Sequence, residues 1–163
     1  MITEIEFESQ YTNANIIGIT GSNGKTTTTM LTHHILKEAG LNVGMAGNIG
    51  DSFAKQVAET NVEHYVLELS SFQLDGMYDF RANIAILLNI TPDHLDRYDY
   101  KMENYINSKF RILQNMKSED SFVFCTDDDI IKKELMNCDT IAQLLPFSVQ
   151  EIEIMTGWIE TEI

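Results

Sequence analysis

Residues 18–29 read GITGSNGKTTTT, in which three glycines and one lysine come before a run of four threonines. A glycine-rich loop that ends in Lys-Thr is typical of loops that bind phosphate through backbone N–H groups, with the lysine on the terminal phosphates and the hydroxyl on Mg²⁺. The strict pattern G-x-x-x-x-G-K-[ST] would require glycine at position 19, where this chain has Ile19. The stretch therefore predicts a phosphate loop (P-loop) of irregular form.

The residues around this loop predict a strand before it and a helix after it. Residues 15–19 are apolar and β-branched, as in a buried parallel strand, and from Thr27 the pattern becomes helical and ends at Gly40. Its apolar positions recur every fourth residue: Leu31, Ile35 and Ala39. Strand, loop and helix in this order direct free N–H groups and the positive end of the helix dipole at an anion. The alternative is a plain glycine turn in which Lys25 is a solvated surface charge.

Composition limits the classes of protein to consider. The chain has 163 residues, of which 44% are hydrophobic and 22% charged, as in a globular protein with one core. Its net charge of −14 argues against a nucleic-acid partner. No apolar run approaches about 20 residues, the first ten residues do not resemble a signal peptide, and two cysteines without metal-like spacing suit a reducing compartment. A cytoplasmic protein without a membrane partner is expected.

Further along the chain, predicted strands alternate with predicted helices. Strands are predicted at residues 41–45, 65–69, 83–89 and 121–125, and helices at 51–59, 100–115 and 129–136, the first of these capped by Asp51. Residues 144–147 are a candidate for one more strand, and 151–163 alternate like an edge strand or hairpin. This order predicts an α/β three-layer sandwich with a mostly parallel sheet.

A carboxylate near the end of one predicted strand is unusual in its setting. Glu68 lies within the apolar run 65–69, where an ionised side chain is costly unless it is paired or bound to a metal. Beside a phosphate loop, such a carboxylate is well placed to hold Mg²⁺ directly or through water. The alternatives are a glutamate that faces solvent and one that is paired with Arg81.

The segment TPDHLDRYD, residues 91–99, follows the apolar strand 83–89 and contains three aspartates and one histidine. His94 is a candidate to ligate a cation or orient a phosphate. Asp-rich loops also cap helices and form turns, so the segment is equally compatible with a structural role. Its position at the carboxyl end of a strand, where ligands bind in parallel sheets, favours a functional one.

A lysine in the following helix stands among apolar residues. Lys109 shares one helical stripe with Met102, Tyr105, Ile106 and Leu113, so it is predicted to face the interior. A desolvated lysine has a lowered pKa and a reactive neutral amine, which could act as a base, pair with a carboxylate or react with CO₂ to give a carbamate. The alternative is a lysine whose stem covers apolar surface while its head reaches water.

Five motifs together resemble the Mur ligases. They are, in chain order, TGSNGKTTT (20–28), GNIG (47–50), LELSSFQL (67–74), NITPDHLDRY (89–98) and NYINSKFRI (104–112). The resemblance covers about residues 1–145 as the central ATPase domain of that family. It implies a lead-in segment at 1–14 after a missing N-terminal domain, an ATP-binding domain at 15–145, and an incomplete tail at 146–163 with the C-terminal domain absent.

The resemblance also implies roles for individual residues. The nucleotide would be bound by the loop and the start of its helix: Gly21, Ser22, Asn23, Gly24, Lys25, Thr26 and Thr27. Two Mg²⁺ ions would be held by four residues: Thr26, Glu68, His94 and a carbamylated Lys109. Lys25, Lys109 and His94 would serve catalysis, and the muramoyl substrate would be contacted by Asn48, Ser70 and Gln73.

The activity implied by the resemblance is an ATP-dependent ligation in peptidoglycan synthesis. It would join D-glutamate to UDP-N-acetylmuramoyl-L-alanine through an acyl phosphate, in an enzyme that is a monomer at full length, whereas the fragment is expected to be inactive alone. Two other interpretations stay open. One is a different ligase of the same superfamily, such as a folylpolyglutamate synthase or a Mur ligase for another amino acid, and the other is a nucleotide-binding module without activity.

Overall fold

The fold is built on one parallel sheet, as seen in a computed structural model that describes residues 2–93 and 95–150. In the described residues, neighbouring strands pair in parallel in the order β2-β3-β1-β4-β5-β6. The strands are β1 (Asn15–Thr20), β2 (Val43–Gly47), β3 (His64–Glu68), β4 (Ile84–Leu87), β5 (Ser121–Cys125) and β6 (Gln143–Phe147). The central position of β1 puts the phosphate loop in the middle of the carboxyl edge of the sheet.

Helices connect these strands and complete the predicted α/β fold class, which the structure confirms. They are α1 (Glu4–Glu8), α2 (Lys25–Glu38), α3 (Phe53–Glu59), α4 (Ser71–Asp75), α5 (Met102–Phe110) and α6 (Asp129–Leu135). Short 3-10 helices lie at Ser9–Tyr11, Leu95–Tyr98 and Arg111–Leu113. Within the parts of the chain that the structure describes, no helix has the length and apolar character needed to cross a membrane.

The core lies on both faces of the sheet. The larger cluster includes Tyr65 and Phe122 from the strands and Phe53 from α3, whose ring meets that of Tyr65 edge-on with 4.9 Å between centroids. The smaller cluster lies under α2 and contains Ile17, Ile19 and Val66, with Leu36 packed against them. Strands β1 and β3 are thus covered on both faces, which explains their nearly continuous apolar sequences.

The helix after the phosphate loop differs in two ways from its prediction. It begins at Lys25 rather than Thr27, and its regularly spaced apolar residues face outward: Leu31 and Ile35 are 55% and 57% exposed. The helix packs instead through Thr29, which is fully buried, and Leu36, which joins the smaller core cluster. These two residues are seven apart and therefore share one face of the helix.

Several other predicted boundaries also shift. Ser52, not Asp51, is the N-cap of α3, and its hydroxyl accepts a hydrogen bond from the Lys55 amide (3.3 Å). The predicted helix at 100–115 is shorter, because α5 ends at Phe110 and the chain then tightens into a 3-10 turn. The strand at 144–147 is confirmed as part of β6. The edge strand or hairpin predicted for 151–163 lies outside the described residues.

The lead-in segment has structure that its sequence pattern does not indicate. It forms α1, and the side chain of Glu6 on this helix is only 2% exposed. Its two carboxylate oxygens accept hydrogen bonds from the backbone amides of Asp79 (2.8 Å) and Phe80 (2.9 Å). The charge is thereby compensated, and the segment is fixed to the chain that leads into β4.

We expect Glu6→Ala to lower the free energy of unfolding by about 2 kcal/mol, because two buried amides would lose a charged acceptor. Urea denaturation would measure this loss. Glu8→Ala is the control, since it removes the same charge from a partly exposed position on the same helix. Equal losses for the two variants would contradict the anchoring role of Glu6.

Candidate active site

The phosphate loop, residues 21–24, connects β1 to α2. It contains two glycines, and each position favours glycine for a different steric reason. A Cβ on Gly21 would lie 3.0 Å from Leu88 Cβ, so this position allows a close approach to the chain that follows β4. Gly24 has φ +80°, a left-handed conformation that L side chains adopt at a cost. The irregular glycine spacing thus fits the geometry of this loop.

The start of α2 offers backbone amides to a ligand. Gly24 is the N-cap residue and has no side chain, so no side-chain cap covers the amides of the first turn. Thr26 and Thr27 in that turn are exposed. Lys25 Nζ folds back and donates to the carbonyl oxygens of Gly21 and Ser22, each at 2.9 Å. Free amides, a helix dipole and a lysine converge here, as an anion site requires.

The first part of the loop is hydrogen-bonded to the chain that follows β4. The Ser22 amide donates to Asn89 O (3.0 Å), and the Asn23 amide donates to Asn89 Oδ1 (2.8 Å). The Ser22 hydroxyl bonds to the backbone of Thr91 and shares a 2.9 Å hydrogen bond with the hydroxyl of Tyr105. Of the residues predicted to bind nucleotide, Ser22 and Asn23 therefore contact other parts of the chain, whereas Thr26 and Thr27 face solvent.

Glu68 is buried at the end of β3, next to the phosphate loop. It is 1% exposed, and its Oε1 accepts a hydrogen bond from Asn48 Nδ2 (2.8 Å). Its other oxygen, Oε2, has no hydrogen-bond partner in the described part of the chain. Both alternative interpretations of this residue are wrong: it does not face solvent, and Arg81 pairs with Asp120 (2.7 Å) and Glu119 (2.8 Å) instead.

This carboxylate fits a Mg²⁺ ion. An ionised oxygen that is buried without a partner is costly, and a cation would compensate it. Mg²⁺ usually takes one or two carboxylates and completes its octahedron with water and substrate phosphates. The residues that the structure describes contain no group of three or more His, Cys, Asp or Glu side chains able to hold a metal. A single carboxylate beside a phosphate loop is compatible with Mg²⁺ bound together with a nucleotide.

Lys109 is buried. The alternative interpretation, in which its ammonium group reaches water, is therefore wrong. It is 1% exposed, and its Nζ donates to Thr20 Oγ1 (3.1 Å) and to Gly21 O (2.8 Å). The pKa of Lys109 is lowered from 10.5 to about 7. Burial is the larger cause and repulsion from Lys25 is the second, whereas nearby carboxylates oppose the shift. A large fraction of this amine is therefore neutral near neutral pH and able to react with an electrophile.

A cleft of about 150 Å³ lies beside the two lysines. It is lined by Lys25, Asn48, Ser70, Ser71, Phe72, Asp93, Tyr105 and Lys109. His94 lies outside the described residues. A larger hollow, about 530 Å³, lies at the opposite end of the sheet and is lined by Asn15 and His64 among others. The carboxyl edge, not this larger hollow, brings together the predicted catalytic lysines.

The three residues predicted to contact substrate have local hydrogen bonds of their own. Asn48 orients Glu68, as described above. Ser70 and Gln73 form the capping box of α4. The backbone amide of Gln73 donates to Ser70 Oγ (3.3 Å), and Gln73 Oε1 accepts from the backbone amide of Ser70 (2.9 Å). Asn48 and Ser70 also line the cleft, whereas the side chain of Gln73 supports Ser70.

Two residues of this site have contacts that the sequence does not predict. Tyr105 is predicted to face the interior on the stripe of α5, without a polar role, and its hydroxyl bonds to Ser22 in the phosphate loop. Asn89 is predicted at the end of the strand 83–89 and the start of a polar segment, without a contact to the loop, and it bonds to both Ser22 and Asn23. The available signal was the polar residue directly after an apolar strand, a position that lies at the ligand-binding edge of a parallel sheet.

Comparisons with known proteins show which family this chain resembles. Residues 19–151 match the model of the Mur ligase middle domain. The chain is 62% identical over 160 residues to the UDP-N-acetylmuramoylalanine--D-glutamate ligase of Bacteroides fragilis, a match that covers 98% of this chain and 36% of the relative. The chain thus spans about a third of the length of the curated relatives it matches.

Solved structures resemble the chain in fold. The MurF ligase of Thermotoga maritima in complex with ADP superposes with a TM-score of 0.70 at 22% identity, covering 91% of this chain and 36% of that one. The E. coli FolC in complex with DHPP and ADP gives a TM-score of 0.64 at 16% identity, covering 89% of this chain and 46% of that one. At these identities the likeness concerns the fold alone.

We expect Gly47→Ala to destabilise the chain more than Gly40→Ala. Both glycines have left-handed backbones (φ +106° and +84°), so each substitution costs about 1–2 kcal/mol in strain. A Cβ on Gly47 would also lie 2.2 Å from Glu68 O, whereas a Cβ on Gly40 meets no atom within 4 Å. Urea denaturation measures the loss in free energy of unfolding for both variants. Similar losses would contradict the expected clash between a Cβ at position 47 and the Glu68 backbone.

We also expect Lys25→Met to raise the pKa of Lys109 above its value of about 7. Removal of a nearby positive charge favours the protonated form of Lys109, while burial still holds the pKa below 10.5. An NMR titration of lysines labelled at Cε would follow this, with Lys109→Arg to assign the signal. Lys37→Met, at the far end of the same helix, is the control. An unchanged midpoint in folded Lys25→Met would refute the coupling.

Proposed function

The chain belongs to the Mur ligase family, whose middle-domain model it matches, and from this membership we propose that it forms the ATP-binding part of a ligase that adds D-glutamate to UDP-N-acetylmuramoyl-L-alanine. The observation that carries the proposal is the buried Glu68, whose Oε2 lacks a partner among the described residues and lies at the same sheet edge as the phosphate loop. The high identity to relatives named for this reaction supports the choice of D-glutamate.

In this proposal, the phosphate loop binds the β and γ phosphates of ATP. Residues 21–27 surround the phosphates, the amides at the start of α2 donate to their oxygens, and Lys25 leaves the carbonyls of Gly21 and Ser22 to pair with them. Thr26 and Glu68 would hold one Mg²⁺ ion. Lys109, as a carbamate, and His94 would hold a second. Bound Mg²⁺ would neutralise the charge that develops on the phosphoryl oxygens.

The chemistry follows from the charges of the reactants. The carboxylate of the muramoyl substrate attacks the γ phosphorus, a new O–P bond forms, and the bond to the β–γ bridging oxygen breaks, so that ADP leaves. Two anions meet in this step, and the amides and Lys25 counteract their repulsion. The amine of D-glutamate then attacks the acyl carbon, phosphate departs, and an amide remains after loss of a proton.

The carbamate at Lys109 rests on the state of its amine. Reaction with CO₂ needs the neutral form, and burial together with Lys25 favours that form near neutral pH. The product is an anion, so it would replace the contacts that Nζ donates to Thr20 and Gly21 with contacts to cations. Asn48 and Ser70 would meet the muramoyl substrate, since both line the cleft. Gln73 would join them from α4, where its side chain is hydrogen-bonded to Ser70.

The remaining proposals concern the whole enzyme. Because the relatives are almost three times as long as the chain, we place the uridine nucleotide and part of the amino-acid site on domains outside it. With ATP and a UDP-linked precursor as its substrates, the whole enzyme would act in the cytoplasm. We also propose that it is a monomer and has no nucleic-acid partner. The rival functions are ligation of another amino acid, folylpolyglutamate synthesis, and, for the chain by itself, nucleotide binding without activity.

The proposal is tested with the complete ligase, UDP-N-acetylmuramoyl-L-alanine and MgATP. Phosphate release and an amide product of the correct mass are expected with D-glutamate, and not with L-alanine, L-lysine or meso-diaminopimelate. Glu68→Gln is expected to raise the Mg²⁺ concentration needed for half-maximal rate at least about tenfold. Interactions of charged groups contribute about 1.5–3 kcal/mol, and about 1.4 kcal/mol corresponds to a factor of ten. Glu119→Gln, on an exposed ion pair, is the control. Turnover with another amino acid instead would refute the specificity.

A further inference from the structure

Two asparagines flank β4 and hold β1 at its opposite ends. Asn83, before β4, accepts a hydrogen bond on its Oδ1 from the Ile16 amide at the start of β1 (2.8 Å). Asn89, after β4, accepts one on its Oδ1 from the Asn23 amide, beyond the end of β1 (2.8 Å). The residue type and the kind of bond are the same, but only Asn89 acts on the phosphate loop.

Asn89 contacts the loop at three points. Besides the bond to its Oδ1, its Nδ2 donates to Asn23 O (3.1 Å), so the carboxamide satisfies both backbone groups of Asn23. Its own carbonyl accepts a hydrogen bond from the Ser22 amide (3.0 Å). The backbone amide of Asn23, one of the residues that the family resemblance implies for nucleotide binding, is therefore engaged by Asn89.

The segment that carries Asn89 is itself fixed. The amide of Ile90 donates to Asp128 Oδ2 (2.6 Å), and Asp128 is also the N-cap of α6. Thr91 exchanges backbone hydrogen bonds with the Ser22 hydroxyl and accepts on its Oγ1 from Asn23 Nδ2 (3.1 Å). Asn89 thus transmits a rigid position, set by β4 and α6, to the loop.

We propose that Asn89 is a positioning residue that holds the phosphate loop open for nucleotide by keeping the backbone amides of Ser22 and Asn23 bonded to itself. Phosphate is then left to the amides from Gly24 onward, because Gly24, the N-cap residue of α2, has no side chain that could cap them. A preformed loop spares the ligand the entropy of ordering it, so the benefit appears in nucleotide affinity. The inference rests on the proposed nucleotide binding and adds a residue to it.

The test compares Asn89→Ala with Asn83→Ala in the complete ligase. Both variants remove a carboxamide that holds a backbone amide at 2.8 Å, so similar losses in Tm are expected. Only Asn89→Ala is expected to raise the KM for MgATP and the Kd for MgADP, by about tenfold, with a much smaller change in kcat, since loss of preorganisation weakens binding. Asn83→Ala is expected to change either constant less than about twofold, because its contacts lie at the other end of β1.

Four results would count against the inference or against the proposed function. Unchanged KM and Kd in folded Asn89→Ala, or equal increases in both variants, would overturn the inference while leaving the proposed function intact. If Asn89→Ala does not fold, Asn89→Ser replaces it, because its hydroxyl is too short to meet both backbone groups of Asn23; wild-type constants in this variant would overturn the inference. Failure of the wild-type ligase to bind MgADP would instead refute the proposed function.

Discussion

A carboxylate buried where three parallel strands end sets the conditions for the rest of this site. Glu68 is taken out of water at the end of β3, and its charge must be compensated nearby. Gly47 lets β2 approach the Glu68 backbone closely, and Asn48 then reaches Oε1. Oε2 faces no partner in the described chain, so a cation completes the arrangement best. The GNIG motif is therefore a support for the carboxylate.

Two lysine side chains meet at the phosphate loop. Lys25 and Lys109 come from different helices, yet both donate to the carbonyl oxygen of Gly21. Their proximity raises the cost of protonating the buried one, and this repulsion adds to the effect of burial on the pKa of Lys109. An anion that attracts Lys25 away from Gly21 would relax this repulsion. Binding of an anion at this loop would therefore favour the protonated form of Lys109.

Parallel topology explains why residues far apart in sequence meet here. The phosphate loop, Glu68 and Asn89 each follow the carboxyl end of a strand, and β3, β1 and β4 are neighbours in the sheet. Hydrogen bonds between Asn89 and the loop, and from Lys109 to Thr20 and Gly21, join these ends. The energy of each bond is modest, but together they fix the loop before a ligand arrives.

The sequence by itself determined the fold class, the glycine loop between β1 and α2, and the inward position of Lys109. These features depend on local spacing: apolar strands alternating with helices, glycines where the backbone turns, and a lysine on an apolar stripe. It did not indicate α1 and α4, which are too short to show a period, or that Leu31 and Ile35 face outward. Only the tertiary structure decided that Glu6 is buried, that Asn48 holds Glu68, and that Asn89 engages the Asn23 amide. Each of these contacts joins residues at least 20 positions apart, and such pairs are formed by strand order and packing, which no local pattern specifies.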